Sequence, residues 1–114
     1  MLTSGDVIDL DLGSPHGREA GFRHPAVVVT AQTMLDEGST IVQVVPATST
    51  VRHEDAEVLI EPDAINGLDR LSAAQCQHVR GVSSSRILRV RGNVGPVVLA
   101  QLRDRLADLF DLAA

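Results

Sequence analysis

The chain contains no lysine, tryptophan or tyrosine, and only one cysteine and two phenylalanines in 114 residues. Each scarcity removes a class of function. A lone Cys76 can form neither an internal disulfide nor a Cys-x-x-Cys metal pair, and its neighbours Gln75 and Gln77 neither activate a thiolate nor bind metal, so Cys76 reads as passive. Two aromatic side chains cannot build a broad base-stacking platform. Apolar runs such as Pro25 to Val29 fall far short of the roughly 18 to 20 residues that cross a bilayer, and no transmembrane helix is expected. Met1-Leu2-Thr3-Ser4-Gly5-Asp6 carries no basic residue ahead of an apolar stretch, which argues against a secretory signal and makes the cytoplasm the expected location. His16, His24, His53 and His78 are scattered, with no Cys/His cluster at ligand spacing, and metal catalysis is not indicated.

What the chain does contain is 44% apolar residues, enough for one core and too short a length for two ordinary domains. One domain spanning residues 1–114 is expected. The net charge of −5 runs against phosphate binding, which draws on basic side chains. That average hides an asymmetry: Asp9, Asp11, Glu54, Asp55, Glu57, Glu61, Asp63 and Asp69 all precede Leu71, whereas Leu71 to Arg103 holds no acid and includes Arg80, Arg86, Arg89, Arg91 and Arg103. All ten basic residues are arginine. The planar guanidinium suits bidentate phosphate recognition, although a GC-rich genome produces the same bias and a solvated basic face is the plainer reading.

Hydrophobic patterning places the elements. Ile8, Leu10 and Leu12 alternate with Asp9 and Asp11, the period of a strand with one wet face. Ser14-Pro15-His16-Gly17 opens a loop that runs to about His24. Pro25 to Thr30 and Ile41 to Val45 are β-branched and continuously apolar, as in strands buried on both faces, with Pro46 marking the edge of the second. Glu57 to Glu61, Ala74 to Val79 and Ile87 to Arg91 predict further short strands. Asn66-Gly67 is a turn dipeptide, and Ser83-Ser84-Ser85 suits a short helical turn. Gly95-Pro96 starts the clearest helix, in which Leu99, Leu102, Leu106 and Leu109 recur at three- and four-residue spacing to pack on the sheet. Five or more strands with one terminal helix predict a small, mostly antiparallel barrel-like sheet capped by that helix.

Several segments, in this order, resemble the MazF/PemK (Kid) toxins. Gly5 to Leu12 is similar to their opening strand; Gly17-Arg18-Glu19-Ala20 and Arg23-His24-Pro25, leading into Val27-Val28-Val29, are similar to a Gly-x-Glu-Gln loop, Arg-Pro and a valine-rich strand. Val44-Val45-Pro46-Ala47-Thr48-Ser49-Thr50 resembles a strand ending in Pro-x-Thr-Ser. Gln75 to Arg80 lies where the family carries a segment ending in Gln-Ile-Arg, and Arg91-Gly92-Asn93-Val94-Gly95 leads to the last helix as it does there. The resemblance covers nearly the whole chain. It implies an SH3-like barrel, a homodimer, metal-independent cleavage of single-stranded RNA without a cofactor, and an antitoxin partner of MazE type with an acidic C-terminal segment.

By the same resemblance, Thr48 matches the family's catalytic threonine. The catalytic arginine matches less directly, because His24 precedes Pro25 and Arg23 stands one residue earlier. Arg23 is therefore expected to stabilise charge, while His24 is the alternative occupant and a candidate for proton transfer. Where relatives such as Kid carry Arg-x-Asp, this chain has Gln75 and Gln77, amides that can contact bases or phosphate but do not serve as general bases. Arg18, Glu19, Ser49, Gln75, Gln77, His78 and Arg80 are the expected RNA-binding residues, with Glu19, His24 and His78 open as proton carriers. Two other functions fit the scaffold: a catalytically silent binder of antitoxin or RNA, and a gyrase poison like CcdB, whose Trp-Gly-Ile ending has no counterpart in a chain without tryptophan.

Overall fold

A computed structural model describes residues 1–11 and 23–112, with Arg23 described through its backbone alone. The expected Ser14–Gly17 loop and the candidates Arg18, Glu19 and His16 lie outside the described residues. The element order is β1 (Asp6–Asp11), β2 (Arg23–Val28), α1 (Gln32–Asp36), β3 (Ile41–Thr48), β4 (Glu57–Ile60), β5 (Ser72–Gln75), β6 (Arg80–Ser83), β7 (Ile87–Asn93) and α2 (Gly95–Leu109). Every strand pair is antiparallel. Along the sheet the strands run β4-β5-β3-β2-β1-β7, and β6 pairs with the first half of β3. The barrel-like sheet with its terminal helix is present; its path stays open, ending at β4 and β7.

Burial explains the continuous apolar runs. Val7, Val27 and Val45 face a core completed by Ile60, Cys76 and Leu102, against which Leu99 and Leu106 of α2 pack. Ile8, Ala26, Val28, Val42 and Val44 face a second core that takes in Leu35 and Val82. Successive residues of the central strands thus enter two different apolar layers, so no polar alternation survives in them. Leu102 is fully buried, while Leu109, expected on the same stripe, is 44% exposed because it belongs to the last turn, past the sheet.

Four expectations are corrected. Asp9 does not face water: it is buried, held by two arginines of β7. The loop expected to reach His24 ends earlier, since Arg23 already pairs with Asp11. Pro46 does not end its strand, which continues to Thr48. Val29 N donates to Gln43 O, so antiparallel alternation makes Ala26–Pro46 a non-bonded pair and turns the proline nitrogen away from β2. On that side β6 has ended at Val44–Arg80 and β5 begins only at Ala47–Ala74, so no ladder bond is missed. Finally, the strand expected over Ala74–Val79 stops at Gln75, and Cys76–His78 forms a 3₁₀ turn. Both α1, of five residues, and β6, of four, are additional to the elements read from the sequence.

Candidate active site

The cleft that gathers the candidate residues is built at one end of the sheet from four pieces of chain. The start of β2 supplies His24 and Pro25, the end of β3 supplies Ala47, Thr48 and Ser49, and Ser72 opens β5. Arg91 projects from β7, and the segment between β4 and β5 contributes Leu68, Asp69 and Arg70. Together they enclose an open hollow of about 270 Å³. Thr48 pairs with Ala73 across β3 and β5, which sets the threonine beside Ser72. Its Oγ1 accepts the Thr50 N–H at 3.1 Å, leaving the hydroxyl proton available to an acceptor in the cleft. His24 is half-buried, with Nδ1 3.4 Å from the Pro25 carbonyl oxygen.

A second construction brings Asp69 and Arg70 to the cleft. Asn66 is 2% exposed; its Oδ1 accepts from the N–H groups of Asp63 and Leu68, and its Nδ2 donates to Glu61 O. This amide folds residues 61–68 into a closed turn, which docks on β7 through the bond from Asn93 N to Ile65 O. The docking is backbone against backbone: a Cβ on Gly92 would stand 2.1 Å from Ile65 O, and one on Gly67 would stand 2.5 Å from Arg91 O. Only glycine permits that approach. Because the turn sits directly on Arg91–Gly92, the Asp69-Arg70 pair that follows it is delivered beside the Arg91 side chain.

Arg91 is itself fixed from below. Its Nε donates to Asp9 Oδ1 at 2.8 Å, while Arg89 Nε donates to Asp9 Oδ2 at 2.7 Å. The Asp9 side chain is 4% exposed, and Arg91 Nη1 is 3.9 Å from Asp69 Oδ2. With Asp9 shared by two guanidiniums and Asp69 set against Arg70, one positive charge is left in excess around the site.

The remaining candidates are placed elsewhere. Arg23 leads into β2 opposite Asp11, next in sequence to His24. Gln75 ends β5 opposite Glu57, and the 3₁₀ turn carries the chain away from the cleft. Gln77 Nε2 contacts Glu54 Oε2 at 3.4 Å, and His78 and Arg80 are exposed; none of these four lines the cleft. Nor do the arginines of the acid-free stretch form one face, since Arg103 donates to Ser4 Oγ and Arg86 to Asp11 O. Sequence reasoning missed Ser72, Asp69 and Arg70 altogether and left Arg91 as one charge among five. The available signals were Asn66-Gly67, which announces a tight turn, and Gly92 beside Arg91.

Cys76 is fully buried, and burial pushes its thiol up from the ordinary range, opposed in part by the Arg105 guanidinium. Among the described residues no group of three or more His, Cys, Asp or Glu side chains is arranged to hold a metal ion, and no helix is long and apolar enough to cross a membrane.

Comparison with known proteins identifies the family and the fold. The family model of the PemK-like, MazF-like toxin of type II toxin–antitoxin systems matches residues 3–110. Endoribonuclease MazF9 of Mycobacterium tuberculosis is 31% identical, with 98% of each chain covered. Among solved structures, the M. tuberculosis toxin MazF-mt6 superposes with a TM-score of 0.76 at 24% identity, covering 96% of this chain and 99% of that one. A MazE–MazF structure from Deinococcus radiodurans gives 0.75 at 22% identity, covering 96% and 95%. A mycobacterial endoribonuclease in complex with its cognate antitoxin gives 0.78 at 19% identity, covering 100% and 99%. These structural likenesses establish the shared fold, and the family match together with the full-length relative goes further: the chain belongs to the PemK-like, MazF-like toxins of type II toxin–antitoxin systems.

Proposed function

We propose that this chain is a toxin that cleaves single-stranded RNA at a short sequence, without metal or cofactor, in the cytoplasm, with the 114 residues acting as one domain. The observation that carries the reading is the convergence of His24 and Thr48 from two different strands on a cleft edged by Arg70 and Arg91. A full-length relative named as an endoribonuclease supports it.

The chemistry uses the substrate's own 2′-hydroxyl. Its oxygen bonds to phosphorus, its proton passes to a base, the bond from phosphorus to the 5′-oxygen breaks, and that oxygen takes a proton as it leaves. The products are a 2′,3′-cyclic phosphate and a 5′-hydroxyl. His24 is the proton carrier in this scheme, the Thr48 hydroxyl donates a hydrogen bond to a phosphate oxygen, and Arg23 stabilises the charge gathered on phosphorus. Ser49 lies at the rim beside Thr48, suited to contacting a base or sugar. Arg18 and Glu19, together with Gln75, Gln77, His78 and Arg80, remain RNA-binding candidates outside the described cleft.

Restraint comes from an antitoxin whose acidic segment covers the same positive surface, consistent with solved relatives bound to MazE or to a cognate antitoxin. The replacement of Arg-x-Asp by Gln75 and Gln77 favours a second reading, a silent binder that keeps the fold and lacks proton transfer. Incubation with unstructured RNA in EDTA separates the two. Defined fragments with cyclic-phosphate ends are expected, and Thr48→Val or Arg23→Ala should slow their release by about 10²–10³-fold. Intact RNA under these conditions, with binding retained, would establish the silent binder.

A further inference from the structure

The assignments taken from the family leave both guanidiniums that line the cleft, Arg70 and Arg91, without a role, and only Arg91 is anchored by a buried partner. Arg91 is held at its base and, with its side chain 20% exposed, reaches solvent at the cleft. Its Nε is engaged by Asp9 Oδ1 at 2.8 Å, and Asp9 is in turn 96% buried, so the base of the side chain is anchored in the sheet. Its terminal nitrogens face the cleft, where their nearest acceptor among the described residues is Asp69, at 3.9 Å and with a side chain 86% exposed. That separation is beyond hydrogen-bonding range, and an acceptor so exposed is easily displaced. A guanidinium held by Nε with both terminal nitrogens uncommitted presents a ready two-pronged donor, the geometry suited to two oxygens of one phosphodiester.

We propose that Arg91 is the phosphate-binding residue of this cleft, that Asp9 is the positioning residue that aims it, and that Asp69 is the counter-charge an RNA phosphate displaces. The proposal rests on the RNA-cleaving reading and deepens it by naming which side chain grips the backbone. It also accounts for two features that the reading leaves over. Asp9 is a carboxylate buried in a strand whose neighbours Ile8 and Leu10 are core residues, an arrangement that serves no packing purpose and requires the two arginines to offset its burial. The turn at residues 61–68 is pressed on Arg91–Gly92 more closely than any side chain would allow, which prevents the strand from shifting beneath the guanidinium.

Arg89 provides an internal control. It makes the matching bond to the other Asp9 oxygen and carries the same charge, yet its side chain is 63% exposed and does not line the cleft. The test uses a single-stranded RNA whose scissile nucleotide carries 2′-deoxyribose, so that binding is read without cleavage, across a salt titration. Arg91→Gln should weaken binding roughly tenfold or more and reduce the slope of log affinity against log salt by about 0.7, the contribution of one phosphate on a single strand. Arg89→Gln should leave that slope unchanged. Arg91→Lys should restore the slope, since the charge returns, while cleavage of the all-ribose strand stays depressed because lysine has no Nε to meet Asp9. Circular dichroism on each variant reports whether it is folded; if Arg91→Gln fails to fold, Asp9→Asn, which offers one acceptor oxygen and an NH2 donor where two guanidiniums each need an acceptor, should lower cleavage with the slope intact. Equal slopes in wild type and Arg91→Gln, or equal losses in Arg89→Gln and Arg91→Gln, overturn the proposal while leaving the nuclease reading standing. A wild-type protein that neither binds nor cuts the RNA overturns both.

Discussion

Cys76 shows how a residue's chemistry is decided by what surrounds it. In the sequence it is flanked by two glutamines; in the fold its side chain is fully buried against the α2 core, where desolvation raises the thiol's pKa above its usual 9.0. The native thiol should therefore react slowly with a thiol reagent at pH 8 and quickly once urea unfolds the chain. The sign of the stability effect follows. An unfolded thiol ionises from about pH 9, whereas the folded one keeps its proton to higher pH, so its contribution to stability is whole below pH 9 and is lost as pH rises through the folded value. A chain without lysine or tyrosine has no other side chain titrating between about pH 9 and 11, which leaves the window clean. Urea midpoints at pH 8 and 10.5 should fall further in wild type than in Cys76→Ala, and parallel falls would refute the assignment. At this scale the sequence was legible where a residue's type and motif fix its place, as for Thr48 in the cleft and Cys76 in the core. It was opaque where action depends on a partner 80 or more positions away, as for Asp9 with Arg89 and Arg91.

Elements were read well where one force dominated. The valine-rich strands and the helix after Gly95-Pro96 fall where apolar content and proline chemistry place them, because burial in two layers leaves those segments little choice. The errors lie where tertiary geometry overrides local pattern: Pro46 stays in its strand because its nitrogen meets the gap between β6 and β5, and Cys76–His78 becomes a 3₁₀ turn although the run from Ala74 to Val79 suits a strand. Short pieces such as α1 gave too little periodicity to find. The 61–68 turn matters most for the shape of the cleft, since its seat on Arg91–Gly92 delivers Arg70 and Asp69. Gly92→Ala should therefore do two things. A methyl group 2.1 Å from Ile65 O forces the turn off the strand, costing about 2–3 kcal/mol, or a melting temperature lower by roughly 10–15 °C. RNA cleavage measured well below that melting point should fall as well, because the cleft loses one wall. A variant with wild-type melting and full activity would show that the close approach is dispensable.

The whole molecule carries a net charge of −5, and the proposed nucleic-acid substrate requires the two signs of charge to be set apart on its surface. Arginines 70 and 91 edge the cleft, while Glu54 and Glu57 gather around the start of β4, away from it. The uncovered surface points to assembly. Among the described residues β7 ends the sheet with β1 as its one strand partner, and Leu88 and Val90, two residues apart on that strand, are each about half exposed at 47% and 48%. An edge carrying apolar side chains is a site for contact with another chain; β7 has neither proline nor acid, and its register irregularities at Leu88 and Arg91 favour side-chain packing over an extended ladder. In a small chain with a limited core, an isologous contact between two copies covers such a surface economically. We therefore expect a homodimer that buries Leu88 and Val90. Arg91, which lines the cleft, is next to Val90 on β7, so the contact would lie near both clefts and bring them together for a single RNA strand. Light scattering at micromolar concentration should report twice the mass of the chain, and Val90→Glu should give a folded monomer with weakened RNA binding and a shallower salt dependence, since only one cleft then engages the strand. A wild-type monomer rules out the dimer; a Val90→Glu protein that remains dimeric places the interface on another face and removes the pairing of the clefts.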